Sequence, residues 1–172
     1  ILIFKKMSVH QTISGDRTIN LPEITAHSLN KAVNFLSSQF NQKFGWTDFS
    51  TNSSGESTSW VTGHTLFQVG RLLPKQILKT SLQIFSAQKN KNEGWGFSSQ
   101  IPADCDSTLH VLYGTKKIYP KYNLDGEIVK FILSHQRLDG GFTTYNNQSF
   151  LSFYRKDKND IDYSGWTSSH TC

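Results

Sequence analysis

The sequence predicts an all-α chain built from helical hairpin repeats, and three observations predict it. Apolar residues recur at spacings of three and four over long stretches, the period of a helix with one buried face. Three of these stretches are followed by a closing motif of Gln, a few polar residues, Gly and an aromatic. The closing aromatics are Trp46, Trp95 and Phe142, separated by 49 and 47 residues. A steady interval of that size marks a repeat architecture, in which hairpins close into an α/α barrel or stack as a solenoid.

The elements follow in order. Residues 1–23 read as an N-terminal extension. Its apolar run Ile1-Leu2-Ile3-Phe4 is far short of a bilayer span, and Lys5 and Lys6 follow that run where a secretory signal carries its charge first. The repeat domain occupies residues 24–172. Its first outer helix carries Leu29, Val33, Leu36 and Phe40 and closes with Gln42-Lys43-Phe44-Gly45-Trp46. The second carries Leu78, Leu82 and Phe85 and closes from Gln88 to Gly94-Trp95. The third carries Leu124, Ile128 and Phe131 and closes with Gln136-Arg137-Leu138-Asp139-Gly140-Gly141-Phe142. Pro74 and Pro120 stand just before the second and third helices, where proline is tolerated.

Between these copies lie inner helices that are apolar nearly all round, and so buried on more than one side. One carries Trp60, Val61, Leu66, Phe67, Val69 and Leu72; the next carries Leu109, Val111, Leu112, Tyr113 and Ile118. Aligning them on Gly70 and Gly114 sets Trp60 opposite Asp104 and Thr62 opposite Asp106, with His64 and His110 on different registers. After Phe142 a polar stretch, 143–165, leads to Trp166-Thr167-Ser168-Ser169-His170, the start of a third inner helix. The chain therefore holds about two and a half copies, an incomplete ring to be completed by further chain or a second subunit.

The closing motif has a mechanical reading. Glycine past a helix end takes the left-handed conformation that reverses the chain. The aromatic folds back over the helix, and the glutamine amide is placed to bond the exposed last carbonyls.

Composition removes several functional classes. A hydrophobic share of 36% with 13% aromatics argues against disorder. Two cysteines, Cys105 and Cys172, make no disulfide framework, which sets a reducing cytoplasm as the default location. The net charge of +5 concentrates at Lys116/Lys117/Lys121 and Arg155/Lys156/Lys158. A solvated surface is the first reading of these spots, a phosphate or peripheral membrane contact the second, and nothing matches a nucleic-acid module. No phosphate-binding or HExxH motif is present. Asp157, Asp160 and Asp162 read as a solvated loop.

The closing motifs, Gln136 to Phe142 above all, resemble the QW repeats of the terpenoid cyclase and prenyltransferase α/α-toroid superfamily, of the squalene–hopene cyclase kind. The stretch from Gly94-Trp95-Gly96-Phe97 to Asp104-Cys105-Asp106-Ser107-Thr108 resembles the cyclase segment that carries the DxDD acid motif, with Ser107 in place of the last aspartate. The resemblance covers residues 24–172. It implies a cyclase-like isomerase or lyase that protonates an apolar polyprenyl-type substrate and needs no metal or cofactor. Asp106 would be the proton donor and Asp104 its supporting carboxylate. Close like charges in a dry cavity would hold one proton on the pair. Trp60, Trp95, Phe97, Phe67 and Tyr113 would shelter the carbocation. A histidine among His64, His110 and His170 would meet Asp106 and orient its proton. Inner-helix N-termini gathered at one end would set Trp60, Asp104, Asp106 and His170 around a common mouth.

The same residues support plainer readings. Asp104 or Asp106 would cap the helix that starts near residue 106, with a lowered pKa and little use as an acid. The histidines would be core or helix-face residues. A zinc site of the prenyltransferase type would use Asp104, Cys105 and a histidine, although neighbouring residues at a helix start point apart. Two alternative functions follow: a toroid module whose concave face binds a peptide or protein, and a zinc-dependent prenyltransferase-like enzyme.

Overall fold

The structure, a computed structural model, describes residues 21–48, 50–51, 55–90 and 94–146. These residues hold the helices α1 (Leu21–Ser38), α2 (Ser59–Val69), α3 (Lys75–Gln88), α4 (Cys105–Ile118) and α5 (Gly126–Ser134). A short antiparallel hairpin, β1 (Ser50–Thr51) with β2 (Gly55–Glu56), bridges α1 and α2, and a 3-10 turn over Gly70–Leu72 leads into α3. The chain is thus all-α in substance, as its periodicity predicts. Residues 1–20, the polar stretch from 147 and the segment around Trp166 and His170 lie outside the described residues.

The two kinds of helix differ as their sequences require. Outer helix α3 buries Ile77, Thr80, Ser81, Ile84 and Phe85, a single stripe at helical spacing. Inner helix α4 buries Cys105, Ser107, Thr108, Val111, Leu112, Gly114 and Thr115, a much broader arc. One core joins the copies: Phe40 and Trp46 from the first, Leu66, Ile77, Ile84, Phe85 and Trp95 from the next, then Val111, Leu112 and Ile128. The inner helices α2 and α4 lie backbone to backbone. A Cβ on Gly63 would stand 2.5 Å from the His110 carbonyl, and one on Gly114 would stand 2.5 Å from the Gly63 oxygen.

The closures work differently from the sequence expectation. The indole Nε1 of Trp46 donates to Leu36 O at 2.7 Å, and that of Trp95 donates to Phe85 O at the same distance. The tryptophan, and not the glutamine amide, therefore caps the last turn of α1 and of α3. Gln88 instead accepts a bond from Ser59 Oγ at 2.9 Å, and Gln136 Nε2 reaches Gly140 O in its own turn at 3.5 Å. The backbone of each tryptophan is held from the other side. Trp46 N donates to Thr62 Oγ1 and Trp95 N to Thr108 Oγ1, both at 3.0 Å. Each threonine hydroxyl donates back to the same tryptophan carbonyl, at 3.3 and 3.2 Å. Gly45 takes a φ of +83° and Gly140 of +86°, as a chain reversal demands. Gly45 and Gly94 also make room for the clamp, since a Cβ on either would collide with the hydroxyl of Thr62 or Thr108.

These clamps fix the register of the repeat and correct the alignment expected from the glycines. Thr62 matches Thr108, so Thr58 matches Asp104, Trp60 matches Asp106 and His64 matches His110. Thr58 and Asp104 are indeed the N-caps of α2 and α4. A smaller correction concerns α5, which begins only at Gly126 because Asp125 caps it, accepting from Glu127 N at 3.0 Å. Leu124 thus precedes the helix and is exposed, and Pro120 sits in the preceding turn, whereas Pro74 is the N-cap residue of α3.

Candidate active site

The start of α4 is built around two carboxyl groups. Asp104 is extended (φ −130°, ψ 158°); its N–H donates to Trp95 O at 3.0 Å and its carbonyl accepts Thr108 N at 3.1 Å. Its carboxylate then turns onto the helix. Oδ1 accepts Ser107 N at 2.7 Å and Oδ2 accepts Ser107 Oγ at 2.8 Å. The expected cap is present, but not its expected electrostatic consequence. Asp104 is almost completely buried, and this burial raises its pKa from 3.8 to about 7. The charge of Asp106 pushes in the same direction, against the bonds from Ser107 and the Phe97 backbone. Desolvation wins over the cap. Ser107, which stands where the acid motif has its last aspartate, supplies two donors to Asp104 in place of a third negative charge.

Asp106 faces another way. It is half-buried, and the hydroxyl of Thr144 donates to its Oδ2 at 2.6 Å. Thr144 comes from the chain just after the third closure, and its carbonyl accepts Cys105 N at 2.9 Å. The backbone oxygen of Asp106 meets His110 Nδ1 at 2.8 Å. A carbonyl can only accept, so Nδ1 of a neutral His110 carries the hydrogen and Nε2 is the acceptor. His110 therefore sits against Asp106 through the main chain, whereas the group that holds the carboxyl is Thr144. The sequence offered no signal for Thr144 beyond its place in a polar stretch.

From this end an aromatic face runs along the paired helices. Trp60, His64 and Phe67 follow one another on α2 at helical spacing; Asp106, His110, Tyr113 and Lys117 do so on α4. Trp60 stacks on His64 with ring centroids 5.6 Å apart and meets His110 at 5.1 Å; the two imidazoles are 5.4 Å apart. Phe67 and Tyr113 pair at 5.7 Å, and Lys117 Nζ lies 5.5 Å from the Phe67 ring centre. The close backbone approach at Gly63 and Gly114 brings these rings together. Eleven residues of helix separate Asp106 from Lys117, a run of about 16 Å. Phe67 and Tyr113 are 40% and 50% exposed, so the face is open. Tyr113 also borders an apolar groove of about 430 Å³ with Leu109, Ile132 and Phe142.

Other candidate residues lie elsewhere. Trp95 is buried in the core as a closure. Phe97 is half-buried, and its carbonyl accepts Thr58 N at 3.0 Å, tying the start of α2 to the strap before α4. Cys105 is buried, and among the described residues no three His, Cys, Asp or Glu side chains gather as a metal site. His170 lies outside the described residues. No helix among those residues is long and apolar enough to cross a membrane.

No protein-family model and no curated protein matches this sequence. Solved structures do. The type II terpene cyclase MstE from Scytonema, in complex with its substrate geranylgeranyl dihydroxybenzoate, matches with a TM-score of 0.72 and 19% identity. The match covers 88% of this chain and 46% of MstE. The complex of MstE with its product, merosterolic acid A, gives the same values. Apo MstE matches with a TM-score of 0.69 and 20% identity, over 84% of this chain and 44% of that one. The fold is therefore that of the type II terpene cyclases, and this chain spans less than half the length of the enzyme it matches.

Proposed function

We propose that this chain carries the acid site of a terpenoid cyclase-like protein that protonates an apolar, polyprenyl-type substrate. The observation that carries this reading is a buried carboxyl raised to about 7, Asp104, placed beside Asp106 at one end of an aromatic face. Burial lets Asp104 retain a proton that an exposed aspartate releases, and this keeps a carboxyl of low charge directly behind Asp106. Asp106 is the member at the face and is the proton donor; Asp104, held behind it, is its partner.

The reaction follows from those positions. The π electrons of a substrate alkene take the proton, the O–H bond of Asp106 breaks, and its electron pair stays on the carboxylate. The positive charge is left on the more substituted carbon. The rings of Trp60 and Tyr113 offer π faces along the path of such a cation, with His64 and His110 stacked beside Trp60. Attack by the next alkene closes a ring, and loss of a proton ends the sequence, so that substrate and product have the same atoms. Binding of a prenylated substrate by MstE supports this substrate class.

The binding-module alternative gives both aspartates capping bonds only; Asp106 instead bonds Thr144. Incubation with geranylgeranyl dihydroxybenzoate tests the proposal: the chain should yield a cyclised isomer and the Asp106→Asn variant none. Equal turnover by the two would overturn it.

A further inference from the structure

The geometry points to Thr144 as a positioning residue for the proton donor, an inference that rests on the reading of Asp106 as the acid. Thr144 grips the start of α4 at two points. Its carbonyl accepts Cys105 N at 2.9 Å, which fixes the threonine relative to the first turn of the helix. Its hydroxyl then donates to Asp106 Oδ2 at 2.6 Å, a short contact that sets the direction of the carboxyl. The neighbouring residues are anchored as well. Thr143 N donates to His135 O at 3.0 Å, and Thr143 and Tyr145 on either side are buried. Thr144 is thus held by the third closure while it holds Asp106.

The consequence concerns which oxygen acts. An oxygen that accepts the Thr144 hydroxyl is turned toward the protein, so the proton to be transferred resides on Oδ1. Delivery to an alkene is sensitive to this direction, because displacement of a reacting group by about 1 Å costs on the order of 100-fold in rate. Thr144 also favours the carboxylate left behind, since its bond strengthens as the negative charge develops on Asp106. No proton passes to or from Thr144 itself.

Two substitutions separate this role from simple support of the helix. Thr144→Val keeps the shape and removes the donor; Thr144→Ser keeps the donor. With geranylgeranyl dihydroxybenzoate, Thr144→Val should lower kcat roughly 10- to 100-fold with KM unchanged, and Thr144→Ser should restore most of it. The infrared carboxyl band that disappears in Asp106→Asn should move in Thr144→Val and stay in place in Thr144→Ser. An unmoved band overturns the inference whether or not the substrate turns over. Unchanged kcat in Thr144→Val, beside an inactive Asp106→Asn, overturns it and leaves the acid assignment standing. Turnover retained in Asp106→Asn overturns the acid assignment and this role with it.

Discussion

The inner helices α2 and α4 are two copies of one design, and the places where they differ are instructive. Both place a threonine hydroxyl under a closing tryptophan, Thr62 under Trp46 and Thr108 under Trp95, with bond lengths that agree within 0.1 Å. Both carry a histidine two residues later. They part four and two residues before the clamping threonine. The N-cap is Thr58 in α2, whose side chain makes no capping bond, and Asp104 in α4, whose carboxylate does. Two residues further on, α2 has Trp60 and α4 has Asp106. The threonine clamp is duplicated and the two aspartates are not, so the repeat itself does not require them. Asp104 costs the fold a buried carboxyl that α2 shows to be unnecessary.

Four experiments press on this comparison, from the largest effect to the smallest. Asp106→Asn removes the feature α2 lacks and should reduce turnover roughly 1000-fold, the upper part of the range for general acids, with the melting temperature unchanged. Asp104 should make stability depend on pH. Its folded pKa of about 7 lies above the unfolded value near 3.8, so its contribution is full below about pH 4 and is lost as pH rises to about 7. Three pKa units set an upper bound of about 4 kcal/mol. Denaturation in urea at pH 5 and pH 8 should show the fall, and Asp104→Asn should abolish it.

Gly63→Ala comes next. Its Cβ would press on the His110 backbone, forcing α2 from α4 at a cost of about 1–3 kcal/mol and separating the Trp60, His64 and His110 rings. A normal denaturation midpoint would show that the two helices have slack. Thr62→Val and Thr108→Val should each cost about 1–2 kcal/mol, because a buried tryptophan N–H loses its acceptor. Equal losses in the two variants support equivalent clamps; a large inequality breaks the equivalence.

Much of this was legible in the sequence. The alternation of one-sided and many-sided apolar helices gave the hairpins, because outer helices have one neighbour and inner helices several. The pair of aspartates proposed as the acid entered through the resemblance of Asp104-Cys105-Asp106-Ser107 to a known motif. The register was not, because Gly70 and Gly114 meet different neighbours. Gly70 makes room for the Ile118 side chain, whereas Gly114 makes room for the Gly63 oxygen, so aligning one on the other shifts the copies by two residues. Capping gave the wrong sign for Asp104, because the bonds from Ser107 lower its pKa by less than burial raises it. The partner of Asp106 was hidden for a different reason. Thr144 lies 38 residues away, and a single bond between distant loops leaves no periodic trace.

The tryptophan closures have a consequence for how the chain comes apart. The indole of Trp46 is fastened to α1 and its main chain to α2; Trp95 joins α3 to α4 in the same way. Each fastening therefore ties an outer helix to the inner helix that follows it, and loosening one of the pair exposes bonds that belong to the other. The units that open together in hydrogen exchange should accordingly coincide with the copies visible in the sequence, an outer helix and the inner helix that follows it losing protection as one.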